Sequence, residues 1–103
     1  MLQPLDGPSL QGKLTGVGTG AVVEVFVTGA AFEERKVVTM QGDGRFYLYF
    51  GDLDAGAPSV SDVSDNGQIV FRNQMITVEA SCDQPLYVLA VTGTVDIRIA
   101  ERA

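Results

Sequence analysis

The chain has 103 residues, of which 46% are hydrophobic and 19% charged; 13 acidic and 7 basic side chains leave a formal net charge of −6. That size and balance suit one globular domain and argue against a disordered chain. The acidic surplus repels both the phosphate backbone of nucleic acids and anionic lipid head groups, so neither nucleic acid nor membrane is an expected partner.

No long segment carries apolar residues at helical spacing. Alternation with period two recurs in short runs separated by glycine-containing turns, which is the pattern of half-buried strands. The first strand is expected over residues 10–15 and the second over 21–28. In the second, Val23, Val25 and Val27 share one face, with Val22, Glu24 and Phe26 on the other. A third over 35–40 and a fourth over 45–50 flank the turn Gly42-Asp43-Gly44 and read as a hairpin, since glycine tolerates the positive φ of tight turns. In the fourth strand, Phe46, Leu48 and Phe50 face one way and Arg45, Tyr47 and Tyr49 the other.

Residues 51–66 are small, polar and acidic. They read as the longest loop, with a short edge strand near 59–63 and a crossing between sheets. Asn66-Gly67 is a turn dipeptide opening a strand over 68–72. Strands then follow over 75–80, 86–91 and, after the turn Thr92-Gly93, 94–100. In the last of these Val95, Ile97 and Ile99 point inward, with Asp96 and Arg98 outward. Seven or eight short strands at this rhythm predict an all-β fold, an antiparallel β-sandwich or a small barrel. The crossing favours the sandwich. Residues 1–9, with Pro4 and Pro8, read as an extended N-terminal arm, and 10–103 as a single sandwich domain. The opening Met1-Leu2-Gln3-Pro4-Leu5-Asp6 lacks a basic region followed by an apolar run, so it does not read as a secretory signal.

The sequence contains no histidine. A histidine base, a serine–histidine relay and a histidine metal site are therefore all ruled out. The single cysteine, Cys82, cannot form an intramolecular disulfide, and its acidic neighbours Glu79 and Asp83 disfavour a reactive thiolate. Gly16-Val17-Gly18-Thr19-Gly20 superficially resembles a phosphate cradle, but a strand follows it where such a cradle needs a helix, so it reads as a hairpin loop. Asp52, Asp54, Asp62 and Asp65 are oxygen donors of the kind calcium takes, yet their spacing is not that of an EF-hand loop; a solvated acidic surface is the stronger reading. No cofactor is expected, and the chain reads as no enzyme. A small hydrolase using loop carboxylates is the weakest of the alternatives. Arg45, Tyr47 and Tyr49 on one strand face are residue types favoured at protein interfaces. With Leu2, Pro4 and Leu5 of the arm they form the candidate interface set.

Three stretches resemble small accessory virion proteins of tailed bacteriophages. They are Leu10-Gln11-Gly12-Lys13-Leu14-Thr15-Gly16 followed by Ala21-Val22-Val23-Glu24-Val25, then Met40-Gln41-Gly42-Asp43-Gly44-Arg45-Phe46-Tyr47-Leu48, then residues 86–99. The resemblance is one of pattern. It implies a head-decoration, head-fibre or tail-associated protein that docks on a capsid or tail lattice, associates with itself, and is made in a host cytoplasm before joining the virion. The alternative is a carbohydrate- or cell-surface-binding module in which Tyr47 and Tyr49 flank a groove.

Overall fold

A computed structural model describes residues 9–26, 35–52, 54–81 and 83–102. Among these described residues, eight strands and one helix follow one another: β1 (Ser9–Val17), β2 (Val23–Glu24), β3 (Val37–Gly42), β4 (Phe46–Phe50), α1 (Val60–Asn66), β5 (Gln68–Val70), β6 (Met75–Glu79), β7 (Leu86–Ala90) and β8 (Val95–Arg102). They form two four-stranded sheets, β1-β8-β3-β6 and β2-β7-β4-β5, whose pairings are all antiparallel. The fold is thus an all-β sandwich. Ser9, assigned from sequence to the arm, is the first residue of β1 and pairs with Arg102. The remainder of the arm, including Leu2, Pro4 and Leu5, lies outside the described residues, as does Cys82.

Period-two alternation does what elementary strand geometry requires of it. In β8, Val95, Ile97 and Ile99 are buried, whereas Arg98 is exposed and Asp96 half-buried. Phe46 and Leu48 of β4 and Leu86, Val88 and Ala90 of β7 meet Met40, Val38, Ile97 and Ile99 in one core between the sheets. Phe50 shares the face of Phe46 and Leu48, yet at the end of β4 it is 42% exposed.

The connections differ from the sequence expectation. The expected hairpin over 35–50 does not form, because β3 lies in the first sheet and β4 in the second. The turn Gly42-Asp43-Gly44 carries the chain across the sandwich. Glycine at position 42 answers a steric need and not a positive φ: a Cβ there would lie 2.9 Å from two ring carbons of Phe46. Asp43 fixes the turn, its amide donating to the Asp96 carbonyl (3.1 Å) and its carboxylate Oδ1 accepting from the Asp96 amide (2.9 Å). The loop over 16–20 also crosses between sheets, from β1 to β2, and so is no hairpin loop. Conversely, the long acidic segment after β4 does not cross, since β4 and β5 are antiparallel neighbours in one sheet.

Within that segment the expected edge strand near 59–63 is a helix, α1. Ser59 caps it: its Oγ accepts from the Asp62 amide (3.1 Å), while the Asp62 carboxylate accepts from the Ser59 amide (3.1 Å). This reciprocal box satisfies two donors that a helix start otherwise leaves orphaned. Val63, on the inward side of α1, is fully buried. It lies outside the inter-sheet core, as do the buried Tyr87 and Leu89 of β7. The helix packs on β4 and β7, so α1 covers the outer face of the second sheet. Close seating ends the helix at Gly67, where a Cβ would meet the Val63 carbonyl at 2.5 Å and the Tyr47 Cβ at 3.2 Å.

One polar element sits inside the apolar body. The side chains of Arg35 and Glu101 are 1% and 0% exposed and form an ion pair at 3.1 Å. Arg35 also donates to the carbonyls of Ala80 (3.0 Å), Val25 (3.1 Å), Ser81 (3.0 Å) and Gln84 (2.8 Å). A buried charge is tolerated only when paired and hydrogen-bonded, and here the guanidinium is both. It ties the end of β2, the start of β3, the β6–β7 loop and β8 to one point. Glu101 occupies the next inward position after Val95, Ile97 and Ile99. A carboxylate in that phase is the sequence signal for a buried cation, and the sequence reading passed it over.

Candidate functional site

The outer face of the first sheet is the most differentiated surface among the described residues. Cross-strand register places Lys13, Arg98, Gln41 and Met75 in one row across all four strands. The next row is Gln11, Ala100, Thr39 and Thr77, and beyond it Arg102, Val37 and Glu79 line up. Small residues at Gly12, Thr39 and Ala100 leave a shallow groove of about 400 Å³ whose walls include Lys13, Arg98, Arg102 and Met75. A second hollow of about 350 Å³ adjoins it at the β3–β4 turn, lined by Asp43, Asn73 and Asp96 together with Lys13 and Arg98.

Three of the seven basic residues of the chain therefore lie on this one face. Lys13 is paired with Asp96 at 3.8 Å at the surface, a contact worth little in itself. Asp96 also accepts the Gly16 amide through Oδ1 (2.8 Å), which pins the end of β1 to β8. Asp43 and Asp96 thus act as acceptors that hold turns together. Arg98 and Arg102 have no ion-pair partner among the described residues. Met75 ends the first row with 64% of its surface exposed, and Phe71, in the adjoining β5–β6 connection, with 59%.

Arg45, Tyr47 and Tyr49, singled out from sequence, fall on the opposite side. Arg45 is exposed just before β4, and Tyr47 and Tyr49 are half-buried on the outer face of the second sheet. There Tyr49 lies beside Tyr87, with Glu24 on its far side, and Tyr47 lies between Leu89 and Ile69. The helix shields this face, so the two tyrosines do not form the open platform a sugar ring would stack on. Tyr87 is buried, and desolvation followed by the nearby Glu24 charge raises its phenol above the ordinary value of 10.0. The neutral phenol is thus favoured in the folded state. The unfolded chain releases this proton first as pH rises, so the contribution is intact below about pH 10 and is lost above it. Tyr87→Phe is expected to flatten the alkaline limb of a denaturant-stability profile between pH 9 and 11; an unchanged slope would rule out this linkage.

The acidic residues do not converge. Asp52 accepts the Asp54 amide (3.0 Å), Asp62 belongs to the helix cap, and Asp54 and Asp65 are exposed. Among the described residues, no group of three or more His, Cys, Asp or Glu side chains is placed to hold a metal ion. The loop over 16–20 has no helix behind it, only β2. Among the described residues, no helix is long and apolar enough to cross a membrane.

No protein-family model matches the chain, and no curated protein matches it. Among solved structures it is similar to a chain described under "Bacillus endospore appendages form a novel family of disulfide-linked pili". The two share 9% identity over 99% of this chain and 96% of that one, with a TM-score of 0.43, a likeness that carries no weight for function.

Proposed function

We propose that this chain is a docking module of a larger protein assembly and works by protein–protein contact. The capsid or tail lattice of a tailed bacteriophage is the assembly that the sequence resemblance implies. The observation that supports the reading is the row Lys13–Arg98–Gln41–Met75, with Arg102 beside it. It offers a flat sheet face with guanidinium groups that have no ion-pair partner among the described residues and an exposed methionine at its rim. Arginine and flexible thioether side chains are enriched where proteins meet proteins. The sandwich beneath them holds the row rigid, which limits the entropy lost on docking.

The test is composition of purified particles from the genome that carries this gene. Mass spectrometry is expected to find the chain in them at a fixed stoichiometry, and Arg98→Glu to deplete it at least tenfold while the free variant keeps its circular dichroism spectrum. Particles lacking the wild-type chain would sink the virion assignment. Undiminished incorporation of the Arg98→Glu chain would remove the sheet face from the contact.

A further inference from the structure

The two outer faces of the sandwich carry opposite charge patterns. On the first sheet stand Lys13, Arg98 and Arg102, with Asp96 tied to Lys13 and to the Gly16 amide, Asp43 holding the Asp96 amide at the β3–β4 turn, and Glu79 at the far edge. On the helix-bearing side stand Asp62 and Asp65 of α1 and Glu24 of β2, with Asp52 and Asp54 in the β4–α1 connection and Arg45 just before β4. Two guanidinium groups without ion-pair partners among the described residues thus look out from one side, and carboxylates from the other. The basic face is local: the chain as a whole has net charge −6, so an unspecific acidic partner would be repelled by most of this surface.

We infer that the basic face of one copy docks on the acidic, helix-bearing face of a second copy. This rests on the docking reading and names its partner. Faces on opposite sides of one body make the contact heterologous, so each added copy presents a fresh basic or acidic face and growth is head to tail. Complementary potentials steer the encounter and set the register, while Met75 supplies the apolar anchor at the rim. A face-to-face pair through the helix-bearing surface would oppose like charges.

Sedimentation velocity on the purified chain tests this, with a concentration series to about 100 µM at roughly 20 mM and roughly 500 mM salt, where screening lengths differ several-fold. At low salt the weight-average mass is expected to climb past twice the 10.9 kDa chain mass without levelling at a dimer, and at high salt to fall back toward 10.9 kDa. Two charge-reversed chains sharpen the result. R98E/R102E carries acid on both faces and D54K/D65K removes acid from the helix-bearing side; each alone is expected to stay monomeric, and their equimolar mixture to associate. All four positions are outside the core, and circular dichroism verifies folding. A wild-type monomer at low salt overturns the inference, as does D54K/D65K self-associating like wild type, which would mean pairing through the basic face. Particle incorporation is read separately, so a monomer that still joins particles removes only the self-docking, and a self-associating chain absent from particles removes only the virion assignment.

Discussion

An Arg35→Ala chain is expected to lose about 3–5 kcal/mol of folding stability, the usual cost of stripping one partner from a buried ion pair. Glu101 would be left in an environment where its side chain has no exposed surface, and four carbonyls, of Val25, Ala80, Ser81 and Gln84, would lose a shared donor. Small domains are stable by only about 5–15 kcal/mol, so the variant falls near the limit of folding. Urea midpoints give the comparison, with Glu101→Gln as the milder partner. The glutamine keeps an acceptor for the guanidinium but removes the charge, so its loss should be clearly smaller than that of Arg35→Ala. Equal losses for the two would show that charge alone holds the site, and a loss below about 1 kcal/mol for Arg35→Ala would show that the hydrogen-bonded knot contributes nothing special.

Phe46→Ala should rank with it, at about 3–5 kcal/mol, because a fully buried ring leaves both lost transfer energy and a cavity. Phe46 has no exposed surface, and its ring fills the space that the absent Cβ of Gly42 leaves open. Phe50 shares its strand and its phase but is 42% exposed. Phe50→Ala should therefore cost less than half as much. The pair forms an internal control: equal losses in thermal or urea unfolding would mean that Phe50 is covered in solution, which would point to self-association.

Much of the sandwich is legible because strand burial follows a two-residue rhythm. The inward set of β8 and the shared face of Phe46 and Leu48 follow from alternation alone. Alternation does not say which sheet a strand joins, and so the Gly42-Asp43-Gly44 turn passed for a hairpin when it spans the two layers. The helix escaped for a different reason. Its apolar content is only Val60 and Val63, too little to register as a helical stripe, although Ser59 and Asp62 stand at the spacing of a capping box. Tyr47 and Tyr49 do face outward, as their phase requires, but the helix lying against their face could not be foreseen while 59–63 was read as a strand. The candidate groove was invisible for a topological reason. Lys13, Arg98, Gln41 and Met75 come from four strands scattered along the chain, and only the register of β1, β8, β3 and β6 brings them into line.

Among the described strands, six of the seven successive links pass from one sheet to the other, the β4–β5 link being the exception. Almost no pairing partner is therefore a sequence neighbour: β1 waits for β8, β2 for β7, and β3 for both β6 and β8. Such a chain cannot zip itself up from local turns. Distant segments must be gathered before their contacts repay the closure entropy, which places acquisition of the native state in the slow, non-local regime of all-β proteins. During that interval strand edges stand open to other nascent chains, so high expression in a crowded cell would tax this architecture at the moment of synthesis more than after it.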